Sequence, residues 1–497
     1  MRFVAAAALG LGIASATVSS SGQIVQLTGA GACASQLETA GWCAAGRALN
    51  PPNAVAVSLD GASVYVAAFG VPVNVSGNAG SVAIFTRNLR TGRISQRAGP
   101  AGCMSQTELG CTPARSVAGS AAVAMSPDGR NVYATGFLSG SVAAFSRSAS
   151  GALAQLPGAN GCVNGDGSEG CRTGVALDGA AGLAISPDGR TAYVAAYGSR
   201  AVTVLDRDPA TGGLSPRPGP RGCVSEPILD EEADEPEEEA EPVPQCAAGI
   251  GIDNPFRLVV SPDGRDVYAL SARTLAVFRR GPSGMLSQAP APSGCFSDDG
   301  SEGDCSTLPL LNGSAGIAIS PDGRNVYIAS VFSNAIVALR RNPATGRLTQ
   351  LPGSAGCVSA DADDGCAAGV GLDGVADVAV ARDGANLYAV SPYNDAVLAF
   401  SRGAGGALTQ LAGDAACVSD AGTESDCARG DVLTRASALA VSPDGHNVYV
   451  TSVEPTGPSA ARGQELGSLS VFARQVALTV TLGTPTAKPI RADRPSR

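Results

Sequence analysis

The chain has 497 residues, 44% of them hydrophobic but only 4% aromatic, with a formal net charge of −10 at pH 7. That length allows several cores or one large continuous core. The acidic balance and the lack of a basic, aromatic-interleaved stretch exclude a nucleic-acid surface, and no run past the N-terminus reaches the roughly 18 apolar residues of a membrane span.

Residues 1–16 predict an export signal. Arg2 supplies the positive start, Val4 to Ile13 the short apolar stretch, and Ala14-Ser15-Ala16 a small-residue cleavage site. No Cys follows closely enough for a lipid anchor, so the mature protein is expected to be soluble and secreted or periplasmic. Gln23 to Gly29, leading into Cys33, has the pattern of Leu153 to Gly158 before Cys162. It reads as an outer strand that has no unit of its own.

From Cys43 onward the chain is periodic. A Cys is followed 17 residues later by Asp-Gly, and five residues after that Asp by Tyr. The triplets are Cys43/Asp60/Tyr65, Cys111/Asp128/Tyr133, Cys171/Asp188/Tyr193, Cys246/Asp263/Tyr268, Cys305/Asp322/Tyr327, Cys366/Asp383/Tyr388 and Cys427/Asp444/Tyr449. Seven copies of one unit, about 60 residues each, indicate a closed ring or a solenoid.

The third copy shows what a unit contains. Leu183-Ala184-Ile185 is a buried strand, and Ser186-Pro187-Asp188-Gly189 is a hairpin turn with Pro and Gly where a type I turn and bulge want them. Ala192-Tyr193-Val194 returns, Ala201 to Leu205 is a third strand, and Asp208 to Gly212 turns into a weaker fourth strand at Gly213-Leu214-Ser215. Four antiparallel strands per unit, seven times, predict an all-β, seven-bladed propeller over residues 22–474. The last unit has three strands and no matching fourth, so the N-terminal strand is expected to complete it and close the ring. Residues 475–497 fall outside the ring as a tail; Val476 to Leu482 has strand character, and Pro485 to Arg497 reads as disordered and basic.

The 14 cysteines fall into seven local pairs, one per repeat: Cys33/Cys43, Cys103/Cys111, Cys162/Cys171, Cys223/Cys246, Cys295/Cys305, Cys357/Cys366 and Cys417/Cys427. An even number, locally paired in an exported chain, predicts seven disulfides. Metal ligation is the alternative, but no pair has zinc spacing and the chain has one His. Insertions lengthen the loop between second and third strands in the first repeat (Val71 to Gly80) and the seventh (Glu454 to Gly467), neighbours in a closed ring. Glu226 to Glu241 carries ten acids and accounts for the whole net charge. It reads as a solvated tether, or as a site for cations or a basic partner.

Ser-Pro-Asp-Gly-Arg-Asn-Val-Tyr (126–133 and 320–327) and the Pro-Ala-Thr-Gly turn (209–212 and 343–346) resemble the lactonase-type seven-bladed β-propellers and the related YVTN repeat proteins. The resemblance covers roughly residues 22–474 and rests on hairpin turns and core strands. It implies the propeller fold and, from the family's enzymes, hydrolysis of lactones in the manner of 6-phosphogluconolactonase. The export signal and the cysteine pairs depart from those enzymes.

Residues with chemistry are few. His446, the only His, takes the hairpin-tip place of Arg130, Arg190, Arg265 and Arg324 and reads as a surface substitution. Ten residues before each repeat Asp stand Asn50, Ala118, Asp178, Asp253, Asn312, Asp373 and Thr434. Just before the innermost strand, these side chains should ring one channel mouth. Asn50, Asp178, Asp253, Asn312 and Asp373 supply oxygen ligands of the kind Ca²⁺ takes, and a bound cation polarises a lactone carbonyl. Alternatively each Asx caps its own loop. The acids of the cysteine loops, such as Asp298, Asp299 and Asp304, match no complete Ca²⁺ motif. The expected function is therefore a monomeric binding or interaction scaffold for a protein or carbohydrate ligand on one face, with lactone hydrolysis as the alternative.

Overall fold

Alternating Val/Ala/Ile runs between Pro-Asp-Gly and Thr-Gly turns leave the backbone one economical course, a series of short antiparallel strands. The computed structural model describes residues 15–36, 43–70, 80–226, 246–300, 304–420, 427–455 and 465–481. The segment expected to be an export signal, through residue 14, the acidic stretch 227–245, the loop segments 71–79 and 456–464 and the tail from 482 lie outside the described residues. Seven six-stranded sheets follow one another as the blades of a closed propeller; blades are numbered from the repeat containing Asp60.

Blade 3 typifies the design. The innermost strand Ala180–Ile185 pairs with Thr191–Ala196, which pairs with Ala201–Arg207. The fourth position differs from a single strand. Two short pieces share it: Leu214–Pro216 lies beside one half of the third strand and Cys223–Ser225 beside the other. The Pro-Gly stretch between them forms a 3-10 turn at Gly219–Arg221 instead of continuing the ladder. A two-residue strand, Ala247–Ala248, then adds in parallel to the outside. Two residues are too few to leave a periodic pattern, so this outermost strand is invisible in the sequence. It is held by the Cys223–Cys246 disulfide, and all seven expected disulfides form, with no free cysteine.

The ring closes as its ends require. Ile24 and Gln26 lie opposite Arg474 and Phe472 of the last blade, as Ile94 and Gln96 lie opposite Arg87 and Phe85 in blade 1. Cys33–Ser35 then pairs with Ser468–Ser470. The pairing runs beyond the expected limits of the ring, since the last strand, Glu465–Thr481, meets Ser15–Ser20. Gln26 also clamps the connection entering blade 7, accepting from the Asp431 N–H at 2.8 Å and donating to the Asp431 carbonyl. Gln96, Gln155, Gln288 and Gln410 make the same two-bonded clamp on Arg47, Arg115, Ile250 and Val370. Gln26→Ala leaves a backbone N–H and C=O without their partner at the ring's seam. It should cost about 1–3 kcal/mol in denaturant unfolding; an unchanged midpoint would show that the clamp adds nothing.

Apolar clusters fill the interfaces between adjacent blades, including that of blades 7 and 1, where Leu469, Val471 and Tyr449 meet Val64 and Val66. The seven register Tyr are fully buried there. Each is also part of a polar latch. Arg147, ending the third strand of blade 2, donates Nε to the Tyr65 hydroxyl of blade 1 at 2.9 Å and Nη2 to both Asp60 oxygens at 2.9 and 2.7 Å, while Tyr65 donates to the Gly151 carbonyl at 2.9 Å. Six further Arg repeat the ion pair around the ring, from Arg87 on Asp444 to Arg474 on Asp383. Burial pushes the Tyr133 hydroxyl up to about 12, so it stays protonated and donates to Gly212. The repeated Asp and Tyr, legible in sequence only as a register, are thus the joints between blades.

Candidate functional site

The latches lie at one face of the ring, with the Asp-Gly hairpins. The other face carries the connections from the cysteine loops into the innermost strands and the loops between second and third strands. The expected ring residues stand here, one per blade. Their main-chain atoms hold the neighbouring loop: the Asp178 carbonyl accepts from Gly198 and Ser199 at 3.1 and 3.2 Å, that of Asn312 from Phe332 and Ser333 at 3.2 Å each, and that of Asn50 from Gly70 at 2.7 Å. The Asp373 N–H donates to Asn394 Oδ1 at 2.7 Å. Ala118 and Thr434 receive Leu138 and Val453 in the same way. These contacts use main-chain atoms, which Ala118 supplies as well as the polar residues do.

The side chains fare differently. Asp178, Asn312 and Asp373 are exposed. Asp253 pairs with Arg200 at 3.3 Å, and Arg200 also reaches Glu226 at 3.7 Å. Asn50 Oδ1 is buried without a hydrogen-bond partner. Among the described residues no three His, Cys, Asp or Glu side chains are grouped closely enough to hold a metal ion.

Aromatic side chains on the same loops escaped the sequence reading. Phe69, Phe137 and Tyr197, each four residues past the register Tyr of blades 1 to 3, form a row with ring centroids 5.8 and 6.0 Å apart. One residue further along, Phe332 of blade 5 and Tyr393 of blade 6 are 68% and 65% exposed. The signal was present: Tyr197 and Tyr393 are the only two of the nine Tyr outside the register.

Behind the mouth, the innermost strands line the channel. Six residues before each repeat Asp stand Ala54, Ala122, Gly182, Arg257, Gly316, Asp377 and Ala438. A side chain on Gly316 would begin 2.6 Å from the Asp377 Cα, so the crowded axis requires Gly there. Arg257 and Asp377 are the two charges of this tier and share a cavity of about 110 Å³. Asp377 accepts from the Leu439 and Val378 N–H groups, each at 3.0 Å. Desolvation deep in the channel pushes its carboxyl above the usual range, against the lowering effects of the Arg257 charge and those two N–H groups.

No family model matches the chain, and no curated protein matches it. Among solved structures it is similar to a periplasmic gluconolactonase of Pseudomonas aeruginosa, at 17% identity over 72% of this chain and 84% of that one, with a TM-score of 0.47. It is similar also to a candidate 6-phosphogluconolactonase of Bacteroides uniformis, at 17% identity over 72% and 83%, TM-score 0.45. A third is hydrazine synthase of Kuenenia stuttgartiensis, at 15% identity over 82% and 94%, TM-score 0.45. The chain itself is a seven-bladed, disulfide-stapled β-propeller, and its own side chains have to carry any reading of its function.

Proposed function

We propose that this protein is an extracytoplasmic binding module that takes its ligand on the mouth face. The contrast between its two faces supports the reading. On the hairpin face an Arg pairs with the repeat Asp of the preceding blade at all seven joints. The mouth face leaves Phe332, Tyr393, Asp178, Asn312 and Asp373 turned to solvent. Exposed large aromatics beside polar groups are features of recognition surfaces. Seven disulfides suit an oxidising compartment. The test is a thermal-shift screen repeated on two variants, Phe332→Ala/Tyr393→Ala at the mouth and Arg190→Glu/Arg324→Glu on the hairpin face. Ligands that raise the melting temperature should lose that effect only in the mouth variant. Loss only in the hairpin-face variant would overturn the proposal.

Lactone hydrolysis is the second reading, favoured by Asp377 beside Arg257 in the channel. An ionised carboxylate takes a proton from water as the water oxygen attacks the lactone carbonyl, and the guanidinium pairs with the oxyanion that forms. The acyl–oxygen bond of the ring then breaks, the ring oxygen receives the proton from Asp377, and a hydroxy acid leaves. The cavity size limits this reading to small lactones. On the same reading Asn50, Asp178, Asp253, Asn312 and Asp373 would hold a Ca²⁺ at the mouth only by drawing together, because no three acids among the described residues are grouped closely enough for an ion as they stand. A panel of lactones assayed with Ca²⁺ and with EDTA should show turnover that Asp377→Asn lowers at least ~100-fold, the usual scale for losing a general base. Absence of turnover on every lactone would end this reading.

A further inference from the structure

We infer that the ligand of the mouth face is a neutral carbohydrate whose sugar rings stack on the aromatic side chains there, an inference that rests on the mouth-face reading above. The row Phe69, Phe137 and Tyr197 crosses three consecutive blades with centroid steps of 5.8 and 6.0 Å and a tilt of 49° between successive rings. Phe69 and Phe137 are half-buried and back the row that Tyr197 ends. Tyr197 is 44% exposed, and Phe332 and Tyr393 stand more freely on the other side of the mouth. An aromatic face packs against the C–H face of a pyranose, and a phenol keeps a hydroxyl for the sugar's own hydroxyls.

The polar neighbours complete the chemistry. The Asp178 main chain holds the residues that follow Tyr197, and the Asn312 main chain holds Phe332 itself. Asp373 is tied to Asn394, next in sequence to Tyr393. Each of these three aromatics therefore has beside it an exposed carboxylate or amide, whose oxygens accept from the vicinal hydroxyls of a sugar. Charge argues against the other occupants. Of the cations on these loops, Arg200 is engaged by Asp253 and Glu226 and Arg273 by Asp298 and Asp299, and Arg435 stands by Asp395. An anionic lipid or a phosphorylated chain would meet carboxylates. A protein interface would want a more continuous apolar centre than aromatics spaced around a channel mouth.

The test uses the full chain in native gels cast with neutral polysaccharides, followed by calorimetric titration with oligosaccharides of whichever one retards it. At least one glucan, mannan, galactan or chitin-type oligomer should bind. Tyr197→Ala, Phe332→Ala and Tyr393→Ala should each weaken binding about three- to tenfold with the melting temperature unchanged. Arg190→Glu on the hairpin face should leave binding as it was. Two results overturn the inference: no neutral glycan binds the folded wild type, or one binds and none of the three aromatic variants weakens it. If glycans fail while a protein or another small molecule still depends on Phe332 and Tyr393, the mouth-face reading stands and the carbohydrate inference alone falls.

Discussion

Arg341→Ala is expected to destabilise the protein by about 3–5 kcal/mol, the cost of stranding a buried charge. Most blades place Ser, Thr or Asn beside the latch, as Ser63, Thr191 and Asn325 show, but blade 4 places Asp266 there. Arg341 and Asp266 side chains are 1% and 0% exposed. Arg341 donates Nε to Asp266 at 2.7 Å and Nη2 to both Asp263 oxygens at 2.8 Å. Arg279 also pairs with Asp266, but its own side chain is 36% exposed. Removing Arg341 leaves a buried carboxylate with one partly solvated cation. Arg402→Ala is the control, because its Asp322 partner is 41% exposed and the place of Asp266 is taken by the neutral Asn325. That variant should lose about 1–2 kcal/mol. Adding Asp266→Asn to Arg341→Ala should recover part of the larger loss. Equal losses for Arg341→Ala and Arg402→Ala in denaturant unfolding would refute the account.

The latches also set an acid limit. For Asp60, burial pushes the carboxyl up, but hydrogen bonds from Ser58, the Ala62 N–H and Arg147 outweigh it and hold the group below its usual value. Asp128, Asp188, Asp263, Asp322, Asp383 and Asp444 are depressed likewise, burial being opposed by hydrogen bonds that include an Arg of the next blade. A depressed carboxylate contributes stability that is complete above its unfolded value and is lost as pH falls through its folded value. Stability should therefore fall cooperatively below about pH 4. Asp377, raised by desolvation, works in the opposite direction, since protonation there favours the folded state. Desolvation raises Glu108 and Asp395 in the same way, but three such groups do not offset seven, so melting temperatures rising between pH 4 and pH 3 would contradict the latch assignment.

Reduction of the disulfides should unfold the protein near body temperature. Six of the seven bridges span 8 to 10 residues and the seventh 23. Chain-entropy reasoning assigns each about 2–3 kcal/mol. Even with strong non-additivity, the set matches or exceeds the net stability of about 5–15 kcal/mol usual for a folded protein. The parallel edge strands, two or three residues each, gain little from their own pairing, so each outer blade edge relies on its bridge. Cys33→Ser/Cys43→Ser should cost more than Cys103→Ser/Cys111→Ser, because the first pair also anchors the strand that closes the ring. Thiol titration should find no free thiol before reduction and 14 after it. A reduced protein that keeps its melting temperature would deny the bridges a structural role.

Blade number, disulfide pairing and the closing strand all follow from the amino-acid sequence by itself. Each is written locally or periodically: Pro-Asp-Gly turns, cysteines mostly 8 to 10 residues apart, and an Ile-Val-Gln segment matching Leu-Ala-Gln elsewhere. The latch Arg was within reach, 19 residues after the Asp in four of the repeats, at Arg147, Arg207, Arg341 and Arg402. Its partner was not, because Arg147 bonds Tyr65 of the blade before, 82 residues away, and Arg87 bonds Tyr449 across 362. Tertiary structure alone decided which face is consumed by these joints and which stays open. It also placed Arg257 and Asp377 in one channel, though 120 residues separate them. Local hydrogen bonding and side-chain period determine a strand or turn within a few residues, whereas the neighbours a side chain meets across blades depend on the closure of the whole ring.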